Sequence, residues 1–228
     1  QVQTNSEIGL TFASALRSIL RQDPNIIMIG EIRDSETAKI AVRASITGHL
    51  VLSTVHTNNS LNTIERLIDM GVERYLLASS LTGIISQKLA RRLCPHCKVK
   101  RPTNQYEKDL FKDALGKNID EIYTAEGCEN CNNGYEGRIP IHEVLIMTQD
   151  VNDAISEKLP KEKMRELVYK SGVTTMLQDG LQKVVNGETS VEEILKIIEL
   201  DDDETLNGKN KLKENIQDST ISDHNNIE

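Results

Sequence analysis

Aromatic side chains are scarce in this sequence, which has no tryptophan, two phenylalanines and an aromatic content of 3%. Surfaces that bind nucleic acids stack bases on aromatic rings and carry excess positive charge. This chain instead has a formal net charge of −8. Eight acids and three lysines lie beyond residue 200, so residues 1–200 carry −3. We therefore expect no specific nucleic-acid binding.

Long hydrophobic runs are also missing, and none approaches the roughly 20 residues that a membrane-spanning helix needs. The first residues, QVQTNSEIGL, have neither the basic start nor the apolar core of a signal peptide. Because the chain begins with Gln1 rather than Met, we expect an incomplete polypeptide. With 228 residues and 38% hydrophobic content, it can form one large domain or two small ones. Any membrane contact is expected to be peripheral.

Four cysteines form two close pairs, Cys94-Pro-His-Cys97 and Cys128-Glu-Asn-Cys131. Without a secretory segment, this usage favours metal binding in a reducing compartment over disulfides. Two CxxC turns can direct four thiolates to one tetrahedral ion. A redox pair is the alternative, but redox motifs occur singly with one exposed thiolate. The pattern predicts a structural zinc site at Cys94, Cys97, Cys128 and Cys131.

Asn25–Ile29 is an apolar run followed by Gly30, Glu31, Arg33 and Asp34. Its bulky residues predict a strand buried on both faces, since a half-exposed strand would alternate polar and apolar residues. Ligands bind at the carboxyl ends of strands in open α/β sheets, so Glu31 is well placed for chemistry. The alternative is a strand followed by a solvated turn.

A second buried strand is predicted over residues 49–56 (HLVLSTVH), after a helix capped by Asp34 or Ser35 that ends at Gly48. A strand, a helix and a strand predict a parallel crossover. Both strand ends, and with them Glu31 and His56, would then meet at one edge of the sheet. A histidine after an apolar strand can equally be a hydrogen-bonded structural residue.

Hydrophobic periodicity predicts the remaining elements. The spacing predicts helices over residues 11–22, 60–70, 75–93, 106–115, 151–159, 161–170 and 176–185, and a strand over residues 137–146. Ser190 and Glu193 predict a capping box that begins a last helix through Leu200. The polar, acidic tail from residue 201 is expected to be disordered.

Three ordered motifs resemble those of the ATPases that drive type II secretion and type IV pilus assembly, in their C-terminal region. Leu20-Arg-Gln-Asp-Pro-Asn-Ile-Ile-Met-Ile-Gly-Glu-Ile-Arg-Asp34 is similar to the family's Walker B region, with Asn25 where Asp is usual. Gly48–Asn58 is similar to its histidine box, and the four cysteines to its tetracysteine element. The resemblance covers about residues 1–200.

The resemblance implies an α/β fold. It comprises a partial RecA-like P-loop NTPase core with a mostly parallel sheet, a tetracysteine zinc-binding insertion and a C-terminal helical subdomain. The expected boundaries are 1–93 for the ATPase core, 94–146 for the zinc element, 147–200 for the helical subdomain and 201–228 for the disordered tail.

The resemblance also implies an ATP site with Mg²⁺, besides the Zn²⁺ site. Glu31 would orient or activate the attacking water, and His56, with His49, would contact the γ-phosphate region. The implied nucleotide-binding residues are Gly30, Glu31, Arg33, Asp34, Thr54 and His56. Since Gly30 stands where many Walker B strands have Asp, Mg²⁺ would depend on Glu31 and on groups beyond these residues.

Part of such a site is missing from the sequence, which contains no GxxxxGK[ST] loop to hold the phosphates and no acidic box. We therefore expect the 228 residues alone neither to bind ATP tightly nor to hydrolyse it. Phosphate release above the blank from the purified chain would refute this expectation.

The family's expected assembly is a homo-hexamer that acts on an inner-membrane platform protein, in the cytoplasm and peripheral to the inner face of the cytoplasmic membrane. Arg17, Arg21 and Arg33 are candidates for a subunit interface. The alternatives are a non-enzymatic zinc-ribbon binding module and a DNA-uptake motor of the same family. Salt-sensitive nucleic-acid retention would favour the zinc-ribbon module, and loss of hydrolysis on Glu31→Gln would favour the motor.

Overall fold

The computed structural model of the chain describes residues 2–170 and 172–199. The tail predicted to be disordered from residue 201 lies outside the described residues. The helices are α1 (Phe12–Ile19), α2 (Ser35–Ile46), α3 (Ser60–Asp69), α4 (Arg74–Ser80), α5 (Gln105–Leu115), α6 (Gln149–Ser156), α7 (Lys161–Lys170), α8 (Met176–Val185) and α9 (Val191–Glu199). The strands are β1 (Ile26–Ile29), β2 (Leu50–Ser53), β3 (Gly83–Leu93), β4 (Val99–Pro102), β5 (Glu121–Thr124) and β6 (Tyr135–Ile146). Among these helices, none is long and apolar enough to cross a membrane.

The described residues divide into two compact units. The first contains the chain up to Gln87 and His142–Asp179, and the second contains Lys88–Ile141 and the chain from Gly180. Strands β3 and β6, which pair with each other, each contribute residues to both units. The domain limits expected from the sequence, at residues 93 and 146, therefore stay a prediction.

The first unit is built on the parallel pair of β1 and β2, joined by α2 as predicted. The register places Ile26 opposite Leu50 and Ile29 opposite Ser53. Asp34 begins α2 by accepting a hydrogen bond from the Thr37 amide, which confirms the predicted cap. Apolar residues from β1 and from α1 to α4, α6 and α7 form one core.

The prediction that β1 and β2 are buried on both faces was wrong for the described residues. Ile27 and Ile29 are each 5% exposed, but Ile26 and Met28 are 62% and 79% exposed. On β2, Leu50 and Leu52 are 51% and 49% exposed. Helices cover the side of β1 that Ile27 and Ile29 occupy, so an uncovered apolar face remains on the other side. Continuous hydrophobicity therefore did not distinguish a covered face from an uncovered one.

The helix predicted over residues 75–93 was also wrong beyond α4. The backbone becomes extended at Leu81, and β3 begins at Gly83. Burial in β3 then alternates, with Ile84 8% exposed and Ile85 70% exposed. The spacing of leucine and isoleucine in this segment is compatible with a helix. In the structure, however, burial from Gly83 onward follows the period of two that is typical of a strand.

The second unit contains the antiparallel pair of β4 and β5, two strands that the sequence analysis missed. The predicted helix between them is α5, which begins with a capping box of Asn104 and Glu107 and buries Phe111 completely. At the start of α9, only half of the predicted capping box forms. Ser190 accepts a hydrogen bond from the Glu193 amide at 3.3 Å, but the Glu193 carboxylate binds Arg91 at 2.6 Å.

Candidate active site and metal centre

The segments after β1 and β2 lie side by side at one edge of the first unit. Beyond the strands, the Ile32 amide donates to the Thr54 carbonyl at 2.9 Å. The Thr54 hydroxyl donates to the Gly30 carbonyl at 2.6 Å. Since Ile32 is also buried, with 8% exposure, the backbone on both sides of Glu31 is fixed. The parallel register thus brings Gly30 and Glu31 beside Thr54, at the two strand ends that the sequence predicted to meet.

The Glu31 carboxylate faces two cationic or ionisable neighbours. Its Oε2 atom accepts a hydrogen bond from Arg33 Nε at 2.5 Å and lies 3.4 Å from His56 Nε2. The side chain of Glu31 is 26% exposed, whereas those of Arg33 and His56 are 73% and 85% exposed. A partly buried carboxylate with a solvent-facing imidazole beside it can orient a water molecule and accept its proton.

Asp34 lies near this edge, but its carboxylate is fully engaged in the fold. One oxygen accepts from the Thr37 amide and the other from the Thr37 hydroxyl, each at 2.8 Å. The hydrogen bond from the Thr37 backbone is the main reason that the pKa of Asp34 lies below its usual value, against the opposing effect of burial. Asp34 therefore caps α2, and its nucleotide-binding role stays a prediction.

His49 lies at the opposite end of β2 from His56. The Leu50 amide donates to the Asn25 carbonyl at 3.0 Å, which places His49 beside the start of β1. His49 Nδ1 is 3.0 Å from the Ala44 carbonyl oxygen, one of the carbonyls that have no helical partner at the end of α2. The structure does not bring His49 to Glu31, and its contacts are those of a structural residue.

The four cysteines lie together in the second unit. Their Sγ atoms are all within 4.8 Å of one another. The distances are 3.9 Å between Cys94 and Cys128, 3.7 Å between Cys97 and Cys131, and 3.6 Å between Cys128 and Cys131. A tetrahedral zinc ion with Zn–S bonds of about 2.3 Å requires sulfur separations of about 3.8 Å. The donor set and its spacing therefore fit Zn²⁺.

Backbone hydrogen bonds shape the two cysteine turns. The Cys94 amide donates to the Gly134 carbonyl at 2.9 Å, and the Cys128 amide approaches Cys131 Sγ at 3.3 Å. Desolvation raises the pKa of Cys97 to about 12. Desolvation also opposes ionisation of Cys131, but hydrogen bonds from Cys128 outweigh it and lower the pKa of Cys131 to about 7. Four thiols this close together can bind one metal ion once it displaces their protons.

A buried carboxylate that the sequence analysis did not single out is Glu143 on β6. It is 4% exposed, and its two oxygens accept hydrogen bonds from the Ser60 amide and the Tyr169 hydroxyl. Its burial could have been predicted from the sequence, because Glu143 lies two residues from Ile141 and two from Leu145 and so shares a strand face with them. Both of these neighbours are fully buried. An acid in phase with the inward side of a strand signals a buried polar contact.

Comparison with known proteins gives one family for most of the chain. A family model described as Type II/IV secretion system protein matches residues 1–196. The chain is 46% identical over 198 residues to the type II secretion system protein HxcR of Pseudomonas aeruginosa, covering 86% of this chain and 38% of that protein. It is 45% identical over 197 residues to the type IV pilus assembly ATPase PilB of Thermus thermophilus, covering 86% of this chain and 22% of that protein.

Solved structures give the same result for the fold. The crystal structure of the pilus retraction motor PilT with bound ADP matches with a TM-score of 0.58 and 28% identity, over 82% of this chain and 43% of that one. The predicted α/β class is confirmed. The chain spans well under half the length of these relatives, at 38% and 22% of the two curated proteins.

Proposed function

Because the chain belongs to the Type II/IV secretion system protein family, we propose that it supplies the hydrolytic part of an ATP site in a motor for type IV pilus assembly or type II secretion. Relatives of both kinds match at nearly the same identity, 45% and 46%. That similarity supports the motor class equally for the two pathways. A DNA-uptake motor of the same family is the remaining alternative.

One observation carries this proposal: the carboxylate of Glu31 and the imidazole of His56 lie 3.4 Å apart after two parallel strands. In the proposed mechanism, Glu31 orients and activates the attacking water, and His56 contacts the γ-phosphate region. Arg33, which now binds Glu31, is a further candidate for phosphate contact. Gly30 and Thr54 hold the backbone that presents Glu31 at the end of the strand.

The proposed cofactors are ATP with Mg²⁺ for hydrolysis and Zn²⁺ as a structural tie. Glu31 is the carboxylate of this edge that can assist Mg²⁺, since both oxygens of Asp34 are used by Thr37. Cys94, Cys97, Cys128 and Cys131 would hold the zinc ion. The proposed assembly is a homo-hexamer that acts on an inner-membrane platform protein, in the cytoplasm at the inner membrane face.

The test is the substitution Glu31→Gln in the full-length protein encoded by the gene. Glutamine keeps the size of the side chain but cannot accept the proton from water, so we expect the rate of ATP hydrolysis to fall by about 100-fold or more. Steady-state phosphate release measures this rate. The matched control is Glu73→Gln, at an exposed position of the same unit.

The control variant should hydrolyse ATP at the wild-type rate. A Glu31→Gln protein whose rate stays within about threefold of wild type would exclude Glu31 as the group that activates water. Equal losses in the two glutamine variants would point to a general effect of removing negative charge and would likewise contradict the proposal.

A further inference from the structure

A buried polar cluster of the first unit connects α3 with β6 and α7. Glu143 of β6 accepts a hydrogen bond from the Ser60 amide at 3.1 Å and one from the Tyr169 hydroxyl at 3.2 Å. Ser60 is 1% exposed and its hydroxyl lies 3.2 Å from that of Ser86. The carboxylate therefore has a defined partner on each side.

The Tyr169 hydroxyl is a reliable donor in this cluster. Burial, followed by the charge of Glu143, raises the pKa of Tyr169 to about 12. The hydroxyl thus keeps its proton at any physiological pH and donates a hydrogen bond to the carboxylate. A second contact joins the same two helices, because Lys161 of α7 lies 3.2 Å from Glu65 of α3. Helix α3 is consequently held to α7 at its first turn and again near its middle.

The Ser60 amide is the first helical donor of α3, and it follows directly on the segment that carries His56. Amides in the first turn of a helix have no partner within the helix, and they favour negative charge. Asn59 caps α3 by accepting from the Asn62 amide at 2.9 Å. The hydroxyls of Thr57 and Thr63 lie 2.6 Å apart. Hydrogen bonds from Thr57 onward therefore fix the short segment between His56 and α3.

We propose that Glu143 is a positioning residue for hydrolysis: by binding the first amide of α3, it fixes the segment that holds His56 beside Glu31. The inference rests on the proposed function for its kinetic consequence and on the hydrogen bonds above for its structural basis. Glu143 touches neither Glu31 nor His56 and acts through α3. Through Tyr169, the same carboxylate makes the position of His56 depend on that of α7.

Two substitutions at Glu143 in the full-length protein separate positioning from bulk stability. Glu143→Ala removes the acceptor, whereas Glu143→Gln retains an oxygen for the Ser60 amide. We expect the alanine variant to lower kcat about tenfold with KM for ATP within about twofold, because misplacement of a reacting group affects the chemical step. The glutamine variant should recover kcat to within about threefold of wild type.

The matched control is Glu193→Ala, since Glu193 is a similarly buried carboxylate of the second unit, with 6% exposure, and binds Arg91. It should lower stability while leaving kcat within about twofold of wild type. Tyr169→Phe removes only the hydroxyl, and keeps the test open should the alanine variant not fold. We expect it to lower kcat about threefold in the same direction.

Hydrogen exchange of the peptide that covers residues 56–63 gives a readout that does not require activity. We expect its exchange to accelerate about tenfold in Glu143→Ala and to stay unchanged in Glu193→Ala. Unchanged exchange and unchanged kcat in both Glu143→Ala and Tyr169→Phe would overturn the proposal, as would an equal loss of kcat in Glu193→Ala. If the wild-type protein hydrolyses no ATP, the proposed function fails, and the exchange result alone decides whether Glu143 positions this segment.

Discussion

The candidate hydrolysis site and the cysteine cluster differ in how much of each site the chain supplies. All four thiols come from the second unit and lie within 4.8 Å of one another, which suits a tetrahedral zinc ion. At the candidate hydrolysis site, the first unit presents Glu31 and His56 on an open edge, and the sequence contains no phosphate-binding GxxxxGK[ST] loop. The chain thus supplies a full set of four thiol ligands for the proposed zinc site, whereas the proposed nucleotide site needs further groups.

This difference shows that sequence motifs of equal clarity can specify sites of unequal completeness. The cysteine motifs supply ligands and backbone turns together, and a long-range hydrogen bond from the Cys94 amide to the Gly134 carbonyl helps to bring the two turns together. The segments that resemble the Walker B and histidine motifs supply two strand ends, where Glu31 is partly buried and His56 is largely exposed to solvent. The variants below test whether the four thiols define a metal site by themselves. They also test how firmly the neighbouring turn and the segment after β1 are held.

The largest effect is expected at the metal centre. Structural zinc contributes on the order of 10 kcal/mol of binding free energy. The purified chain should contain about one zinc per molecule, and Cys97→Ser should abolish zinc binding because it removes one of four thiolates. Zinc content by atomic emission and thermal unfolding with and without a chelator measure these effects.

The matched control is His96→Ala, because His96 lies between two ligands but outside the group of four. It should retain the metal. Zinc retained by Cys97→Ser, or lost equally from the histidine variant, would break the comparison by showing that the four thiols do not define the site.

An intermediate effect is expected for Gly134→Ala, next to the cluster. Gly134 has a positive φ of 81°, and an added Cβ would lie 2.5 Å from Ala125 Cβ. Backbone strain and overpacking together should lower the free energy of unfolding by about 2–4 kcal/mol. Gly137→Ala is the control, since Gly137 has φ of 72° but nothing within 4 Å.

In the Gly137→Ala control, only backbone strain should lower the free energy of unfolding, by about 1–2 kcal/mol. Denaturant unfolding of the two zinc-loaded variants distinguishes these values. Equal stabilities would mean that Ala125 moves away easily and that the turn is less well packed than the structure indicates.

The smallest effect is expected at the edge of the first unit that carries Glu31, where Asp34 caps α2. Asp34→Ala should lower the free energy of unfolding by about 1 kcal/mol, while Asp34→Asn retains most of the cap. Because the folded pKa of Asp34 lies below its usual value, its contribution is complete above the unfolded pKa and is lost as pH falls through the folded pKa.

Unfolding curves at pH 7 and pH 3 check this expectation. The difference in stability between wild type and Asp34→Ala should shrink at the lower pH, whereas that between Asp34→Asn and Asp34→Ala should not. A wild-type difference that is the same at both pH values would show that the charge of Asp34 does not contribute to the cap.

The sequence predicted the elements whose pattern is local. The cap at Asp34, the parallel crossover of α2, the four thiols and the meeting of Glu31 with His56 all follow from motifs or from strand order. Burial did not follow, because Ile26 and Met28 have the same hydrophobic character as their buried neighbours. Whether a face is covered depends on the rest of the fold, which a single run of residues does not encode.

Three further differences have physical causes. Residues 75–93 satisfied a helical spacing, and the extended backbone at Leu81 divides them into α4 and β3. His49 was grouped with His56 because both flank one strand, although the length of β2 separates them. Glu143 was missed because its partners, Ser60 and Tyr169, are distant in sequence. In the sequence, the only sign of such long-range hydrogen bonds is an acidic residue at an inward-facing position of a strand.

The fixed backbone around Glu31 has a consequence for the time course of the reaction. With the Gly30 carbonyl and the Ile32 amide both bonded to Thr54, this carboxylate changes partners by side-chain rotation alone. Rotamer changes of exposed side chains take picoseconds to nanoseconds, whereas enzymes in general turn over in milliseconds or longer. In the proposed reaction, exchange of Arg33 for a water molecule at Glu31 would therefore be a fast pre-equilibrium that precedes the chemical step.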